Sequence, residues 1–373
     1  MRTLVFGGTF DPPHRGHFEL LSAAVRTIRP DKILILPAYH APLKETPTAS
    51  AAHRQALVRL GVLDRLPPRW RTIGRLDLRE ARSRRRTYTV ETLADLPGEL
   101  HFVCGQDSAA SFPRWKEPSR LKLLASWWYG ARPRSGNNIP PHFRRVPGRF
   151  PNISSTEIRS ALSLGHDCSS ELFPEVAAYI RDNKLYGLDI LSRLKETLSA
   201  GRFQHTLNVA SLAEALARRH GLNADAARLA GLLHDMGRRF RPSELASYAR
   251  RRRVTIPERK KIIAFDPLLL HAHVSEDLAR REFGIRDRVV LAAVRRHTLG
   301  DRFMGALDRI LYVADACSAD RAHRDARKIR ALAFSDIDAA LKECVGGKLT
   351  HALVRGAWLH PSTILLWNTL ATD

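Results

Sequence analysis

Residues 4–17 read LVFGGTFDPPHRGH, and this stretch decides the fold of the first half of the chain. Residues 4–6 form a short apolar segment, which predicts a buried strand, and it stops at Gly7 and Gly8. Glycines let a backbone come close to a phosphate group, and the free N–H groups at the start of a following helix favour an anion. The stretch therefore predicts a strand–turn–helix unit that binds phosphate through Gly7, Gly8 and Thr9.

Two histidines follow the double glycine. His14 and His17 are three positions apart, so on one helical turn they can face the same phosphate chain, and Pro12 and Pro13 stiffen the turn before them. An isolated histidine is more often structural than functional. The joint pattern of strand, double glycine and spaced histidines favours function, and it predicts that His14 and His17 are catalytic.

The length and the apolar pattern divide the chain into two domains. A chain of 373 residues suggests two domains, and the apolar segments 33–36 and 100–103 predict further strands of a parallel sheet covered by helices on both faces. After Gly187 helical periodicity replaces the strand pattern, so we expect a domain boundary near residue 188. The pattern predicts helices at 174–184, 225–236, 271–283, 287–297, 305–315 and 335–344.

Composition bounds the class of protein. The net charge of +23 fits either attraction of polyanions or an arginine-rich surface without a specific partner, and we favour the second together with small phosphate ligands. Four scattered cysteines argue against a disulfide framework and fit a reducing cytoplasm. We see no signal peptide and no apolar run of the roughly 18 residues that a membrane span needs.

The N-terminal motif resembles the (T/H)-x-G-H nucleotidyltransferase superfamily, and in detail the bacterial nicotinate-nucleotide adenylyltransferases, whose signature is GGTFDPxHxGH. The resemblance covers residues 1–187, in the right order. It includes the stretch around Arg54 and the segments 88–93 (YTVETL), 105–107 (GQD), 132–133 (RP), 153–159 (ISSTEIR) and 176–186.

This resemblance implies a Rossmann-like α/β domain that transfers AMP from ATP to nicotinate mononucleotide, with Mg²⁺ accompanying ATP. It implies phosphate contacts from Lys44, Ser154, Ser155, Thr156 and Arg159, and mononucleotide contacts from Tyr88, Thr89, Gly105, Asp107, Trp115 and Arg132. From spacing alone, Trp115 is as compatible with a half-buried core tryptophan as with stacking on a pyridine ring.

One position departs from this family. The chain has Pro42-Leu43-Lys44 where the family usually has Pro-His-Lys, so an imidazole is missing while the lysine remains. The departure concerns substrate preference rather than adenylyl transfer. Nicotinate mononucleotide is the substrate that the family implies, with the amide form or another phosphate ester as the alternative.

The second half contains an ordered set of histidines and aspartates. His234 and Asp235 are adjacent at the end of a predicted apolar helix, where the partial negative charge of the helix favours a cation. An isolated histidine is as often a core residue, but the ordered set on predicted helices favours a metal site. The predicted ligands are His205, His234, Asp235, His271, His297 and Asp315, and Asp235 is also predicted to be catalytic.

This set resembles the YqeK-like HD hydrolases, which are symmetrical bis(5'-nucleosyl)-tetraphosphatases. The resemblance runs from about residue 190 to the end and implies an all-α HD-domain bundle that cleaves diadenosine tetraphosphate to two ADP. Six mixed imidazole and carboxylate ligands allow two metals bridged by Asp235, and they suit iron, which we favour, or manganese or zinc. Arg238 stands where a lysine is usual, and His273 competes with His271 as the ligand, although the register favours His271.

Two alternatives remain. One is a nucleotide-sensing or RNA-associated protein in which one or both sites are degenerate, motivated by the charge and by Leu43 and His273. The other keeps both reactions but changes the nucleotides. The sequence predicts no membrane partner, disfavours nucleic acid without excluding it, and leaves the oligomeric state open.

Overall fold

The protein is described by a computed structural model that covers residues 1–39, 48–80, 87–131, 138–321 and 324–372. The chain divides into two compact units, Met1–Leu188 and Asp189–Asp373. Among the described residues, no helix combines the length and apolar character that crossing a membrane requires.

The first unit is built on a parallel sheet of six strands. In chain order they are β1 (Arg2–Gly8), β2 (Lys32–Pro37), β3 (Gly74–Leu76), β4 (Glu99–Gly105), β5 (Ser126–Gly130) and β6 (Phe143–Arg145). Their order in the sheet is β3-β2-β1-β4-β5-β6, and every pair is parallel. From β1, strands β2 and β3 are added on one side and strands β4 to β6 on the other, so the strand order changes direction between β1 and β4. Ligands of such sheets bind at this position.

Helices cover both faces of this sheet. They are α1 (Arg15–Ile28), α2 (Ala51–Val58), α3 (Pro68–Arg71), α4 (Thr89–Ala94), α5 (Gln106–Ala110), α6 (Pro118–Leu124), α7 (Ser155–Ser163) and α8 (Pro174–Asp182), with a π-helical turn at Arg59–Leu63 and a 3₁₀ turn at Phe112–Arg114. Because side chains alternate along a strand, Leu4 and Phe6 pack against α1 while Val5 packs against α4 and α6 on the other face. This explains why the strands are apolar without interruption, as the sequence predicts.

The described part of the second unit is helical. Its helices are α9 (Leu188–Thr197), α10 (Ala200–Arg219), α11 (Ala224–Leu233), α12 (Pro242–Arg251), α13 (Arg259–Phe265), α14 (His271–Glu282), α15 (Arg288–Arg296), α16 (Ala306–Cys317), α17 (Arg324–Ala333), α18 (Ile337–Val354) and α19 (Pro361–Thr372), with 3₁₀ turns at Met236–Arg239 and Pro267–Leu270. The α/β and all-helical classes that the sequence predicts are confirmed.

A glycine brings two central helices of this unit together. A side chain at Gly231 on α11 would place its Cβ 2.5 Å from the Cα of Ala210 on α10. The two backbones therefore approach closely, and this approach sets His205 on α10 opposite the residues that follow α11.

Candidate active sites

The turn between β1 and α1 places the two N-terminal histidines against each other. His14 is buried and extended just before the helix, and its backbone N–H donates to Nδ1 of His17 at 3.2 Å. The two imidazole rings lie 3.7 Å apart. Both side chains thus lie at the N-terminus of α1, the position that favours an anion.

The start of α7 docks on this same turn. The hydroxyl of Ser155 donates to the carbonyl of Pro12 at 2.8 Å, and Arg159 donates to the carbonyl of Asp11 at 2.9 Å. A second nitrogen of Arg159 lies 3.4 Å from the hydroxyl of Thr156. The structure therefore brings residues 154–159, which begin α7 with Ser154 just before the helix, to the turn between β1 and α1 that carries His14 and His17.

A buried arginine joins the ends of β1 and β2. Arg54 is 1% exposed and donates to the backbone carbonyls of Thr9, Ala38, Tyr39 and Ala49. Burial lowers the pKa of its guanidinium, and the nearby Asp11 opposes this effect. The sequence motif places Arg54 in a similar stretch but does not reveal this function, because its partners come from other parts of the chain.

A cavity of about 390 Å³ opens at the ends of β1, β2 and β4. The predicted site residues that line it are Gly7, Gly8, Thr9, Tyr88, Thr89 and Trp115. Gly105 ends β4 and Asp107 lies in the first turn of α5, both outside this lining. Lys44 and Arg132, together with Leu43, lie outside the described residues.

Trp115 lies between the hydrophobic core and the cavity. It lines the cavity while its ring meets Phe112 at 5.5 Å and Phe102 at 6.0 Å between centroids. Its indole N–H donates to Ser111 Oγ at 3.1 Å. The ring is thus held by core contacts with part of it facing the cavity.

Glu80 is a lining residue that the sequence does not reveal. Its carboxylate is buried and accepts a hydrogen bond from the hydroxyl of Thr92 at 2.7 Å. Burial raises the pKa of Glu80, and the hydroxyls of Thr92 and Thr87 oppose that shift. A buried acid is thereby placed in the cavity wall.

In the second unit, the side chains of five predicted ligands form two overlapping groups that share Asp235. His205, His234 and Asp235 form one group, and Asp235, His271 and His297 form the other, with the candidate ligand atoms of each within 4.8 Å of one another. Imidazole nitrogens and carboxylate oxygens are donors that suit a divalent transition metal.

Three of these histidines are oriented by backbone carbonyls of the turn that precedes each of them. The Nδ1 atoms of His234, His271 and His297 lie 2.7, 2.6 and 2.7 Å from the carbonyls three residues earlier. This arrangement directs each Nε2 toward Asp235, at 3.6, 3.3 and 3.7 Å respectively. Metal-binding histidines are typically held in this way, with the second nitrogen bonded to a carbonyl.

The fourth histidine is held by carboxylates. His205 Nε2 lies 3.1 Å from Asp315 Oδ1, and its Nδ1 lies 2.7 Å from Asp320 Oδ2. Asp320 also accepts hydrogen bonds from Asn208 and Ser318. Sequence reasoning does not find Asp320, because the contact joins residues 115 positions apart.

The electrostatics of this cluster favour a cation. Burial opposes ionisation of Asp235 and Asp315, yet the neighbouring imidazoles hold the pKa of both carboxyls well below their usual range. Burial lowers the pKa of His234 to about 4, and its Nε2 is buried without a hydrogen-bond partner among the described residues. The neutral imidazole of His234 and the ionised carboxylates of Asp235 and Asp315 are the forms that bind divalent metals, so these donors fit one.

His273 lies outside both groups. It is buried, and burial lowers the pKa of its imidazole to about 4. The structure therefore places His271, and not His273, beside Asp235.

Cationic and hydroxyl side chains surround the cluster, and of these the sequence singles out Arg238 alone. Arg202 lies 2.6 Å and Arg238 3.5 Å from Asp235, and Arg321 lies 3.4 Å from Asp315. The hydroxyl of Thr298 lies within 3.0 Å of the Nε2 atoms of both His271 and His297. These groups surround the cluster with donors suited to phosphate oxygens.

Comparison with known proteins assigns each half of the chain. A family profile described as cytidylyltransferase-like matches residues 5–161, and one described as HD domain matches residues 202–320. A Chromobacterium violaceum protein named "Probable nicotinate-nucleotide adenylyltransferase" is 33% identical over an alignment of 218 residues, and the match covers 50% of this chain and 98% of that protein. A Bacillus subtilis protein named "Bis(5'-nucleosyl)-tetraphosphatase, symmetrical" is 31% identical over an alignment of 194 residues, and the match covers 49% of this chain and 97% of that protein.

The chain belongs to both families. The nicotinate-nucleotide adenylyltransferase part comes first, and the symmetrical tetraphosphatase part, an HD domain, follows it. An HD domain implies a divalent metal, which the two histidine–aspartate groups fit.

The same pair of families occurs within single relatives. A Mycoplasma genitalium protein named "Probable nicotinate-nucleotide adenylyltransferase/Ap4A hydrolase" is 25% identical over 332 residues, covering 86% of this chain and 88% of that protein. Among solved structures, a Clostridium acetobutylicum HD superfamily hydrolase is 28% identical, covers 49% of this chain and 96% of its own, and has a TM-score of 0.47.

Proposed function

We propose that this chain is a bifunctional nucleotide enzyme. Residues 1–187 transfer AMP from ATP to nicotinate mononucleotide, which gives deamido-NAD and pyrophosphate, and residues 188–373 hydrolyse diadenosine tetraphosphate to two ADP. The observation that carries the proposal is that each family's motif residues converge in space, at the start of α1 and around Asp235.

The first reaction needs positioning more than proton transfer. The attacking phosphate of nicotinate mononucleotide is already ionised, so the protein must hold two anions together and stabilise the charge that develops on pyrophosphate. We assign this role to His14, His17 and Arg159 with the backbone N–H groups at the starts of α1 and α7. Mg²⁺ accompanies ATP in this proposal.

The cavity supports the binding of the second substrate. Trp115 and Tyr88 line it and offer aromatic surfaces of the size of a pyridine ring. Lys116 also lines it, with its ammonium 4.4 Å from the centre of the Tyr88 ring and 2.7 Å from Glu91. A cation at this wall suits the acid form of the mononucleotide.

The second reaction takes place at the histidine–aspartate cluster. His205, His234, Asp235, His271, His297 and Asp315 hold the metal, with iron favoured and manganese or zinc as alternatives. When bound, the metal polarises a phosphoanhydride and lowers the pKa of a water. Arg202, Arg238 and Arg321 bind the phosphate oxygens and orient the polyphosphate.

Two variants test the assignment on the full chain. His17→Ala should abolish synthesis of deamido-NAD and leave hydrolysis of diadenosine tetraphosphate intact, whereas Asp235→Ala should do the reverse and lose bound metal. The exposed His166 and His351 give matched controls, His166→Ala and His351→Ala, which should retain both activities. If neither His17→Ala nor Asp235→Ala loses its assigned activity, the proposal is wrong.

A further inference from the structure

An open groove of about 730 Å³ lies in the second unit, away from the residues assigned above. Its lining includes five cationic residues, Arg250, Arg253, Arg259, Lys260 and Lys261. We call this feature the basic groove. It lies in a segment, residues 238–261, that contains ten arginines and lysines but two acidic residues.

The cations of the basic groove are largely unpaired. Glu258, the acidic residue in its lining, lies 2.9 Å from the ammonium of Lys261. Within the part of the chain that the structure describes, the side chains of Arg250, Arg253, Arg259 and Lys260 make no hydrogen bond or ion pair. Four like charges gathered without counter-ions repel one another, and a polyanion would relieve that repulsion.

The local backbone does not favour this arrangement either. Arg259, Lys260 and Lys261 occupy the first turn of α13, where the helix dipole disfavours positive charge. The loop between the two basic segments has left-handed backbone at Arg253 (φ 52°) and Glu258 (φ 53°), which non-glycine residues adopt at a cost. Such features are typical of sites kept for binding rather than for stability.

An exposed aromatic pair borders the basic groove. Phe265 ends α13, about 6 Å beyond Lys261 along the helix axis, and its side chain is 63% exposed. Its ring stacks on Trp358, with centroids 5.4 Å apart and planes tilted by 24°. An exposed flat surface thus lies on the same short helix as three of the groove's cations.

The partner aromatic also contacts a residue near the segment that leads into α13. The ring of Trp358 lies 5.3 Å from that of His360. Burial lowers the pKa of the His360 imidazole, and the carboxylate of Glu258 and the backbone of Pro257 oppose this shift. The aromatic pair is therefore connected to the groove through α13 and through His360.

We infer that the basic groove and the Phe265–Trp358 pair form a binding surface for single-stranded nucleic acid. The phosphates lie along the arginines and lysines, and a base stacks on the exposed face of Phe265. Proteins that bind single strands without sequence preference combine these two elements. The aromatic surface separates this ligand from inorganic polyphosphate, which has no ring to stack.

The experiment measures binding of a fluorescein-labelled 12-nucleotide RNA to the full chain by anisotropy, over a range of salt concentrations. Contacts to four phosphates give a slope of log K against log salt of about −3, since each contributes roughly 0.7 for a single strand. Arg259→Gln with Lys260→Gln should reduce the slope by about 1.4. Phe265→Ser should weaken binding roughly 5- to 150-fold without changing the slope.

The control variant replaces Arg286 and Arg288 with glutamine. Both are exposed, and the change removes the same charge elsewhere in this unit. It should bind RNA like the parent, and all variants should keep the parent's melting temperature and hydrolase activity.

The inference is overturned if the control with Arg286 and Arg288 replaced loses as much RNA affinity as the variant with Arg259 and Lys260 replaced. That result would indicate that RNA binding depends on net charge alone and not on the basic groove. It is also overturned if Phe265→Ser binds normally and inorganic polyphosphate competes as well as RNA at equal phosphate concentration. Absence of binding at low salt overturns it directly.

Discussion

The contact between Asp320 and His205 gives the sharpest test of the metal centre. Asp320 Oδ2 lies 2.7 Å from His205 Nδ1, so the carboxylate fixes the ring and turns Nε2 toward Asp315 and Asp235. Asp320→Asn keeps an oxygen that can accept a hydrogen bond from Nδ1–H of His205 but removes the negative charge. Asp320→Ala removes both.

The structure sets the expected magnitudes. Loss of such an outer carboxylate typically lowers metal affinity about 10- to 100-fold, equivalent to about 1.4–2.8 kcal/mol. The side chain of Asp320 is 32% exposed, so water screens part of its charge. We therefore expect about a 10-fold loss for Asp320→Asn and a loss nearer 100-fold for Asp320→Ala.

The assay is competition for Mn²⁺ or Zn²⁺ between the protein and a metal-binding dye, alongside hydrolysis of diadenosine tetraphosphate at several metal concentrations. Excess metal should restore hydrolysis in both variants, because the ligands themselves remain. Asp338→Asn is the matched control, since Asp338 is 56% exposed and pairs with Arg309. If Asp320→Ala binds metal with the parent's affinity, or if Asp320→Asn and Asp320→Ala lose equal metal affinity, Asp320 does not act on the metal site by orienting His205.

Three further changes test the fold and the first unit. Gly231→Ala places a Cβ 2.5 Å from the Cα of Ala210 and should destabilise the second unit by about 1–3 kcal/mol. The control Gly347→Ala has open space around the added Cβ and should stabilise the unit by up to about 1 kcal/mol. Thermal unfolding of the two variants distinguishes a loss of stability from a gain. Arg54→Lys keeps the charge but loses the planar fork, so calorimetry should show a loss of roughly 2–4 kcal/mol together with loss of adenylyl transfer. Burial raises the pKa of Glu80 in the folded state, so the folded protein keeps a proton on this carboxyl at pH values where the unfolded chain has lost it. The contribution of Glu80 to the free energy of unfolding therefore falls as pH rises from about 4.5 through the raised pKa. The melting temperature of Glu80→Gln relative to the parent should therefore increase across that pH range, and a constant difference would contradict the shift.

Much of the fold was predictable because its signals are local. Strands 33–36 and 100–103 are uninterrupted apolar runs, and both lie within observed strands, β2 and β4. The start of α11 is also a local feature, since the side chain of Asn223 accepts a hydrogen bond from the N–H of Ala226. The strands β3 and β6 have three residues each, too few to produce a recognisable pattern.

Helix ends were less predictable than helices. The apolar helix predicted at 225–236 ends at Leu233, and Met236–Arg239 forms a 3₁₀ turn. That turn packs against α14, where Gly237 donates its N–H to the hydroxyl of Ser275 at 2.9 Å. The helix predicted at 335–344 continues to Val354, because Gly346 and Gly347 do not interrupt it.

The sequence by itself determined which chemical groups each half presents, because residue types and their order along the chain can be read without knowing how distant segments pack. His234, His271 and His297 each lie near a carbonyl three residues earlier, which needs nothing beyond their own turn. Tertiary structure alone decided which groups support them. Asp320 reaches His205 across 115 residues, Arg54 reaches Thr9 across 45, and Arg202 reaches Asp235 across 33, and contacts at such separations exist because packing brings distant elements together.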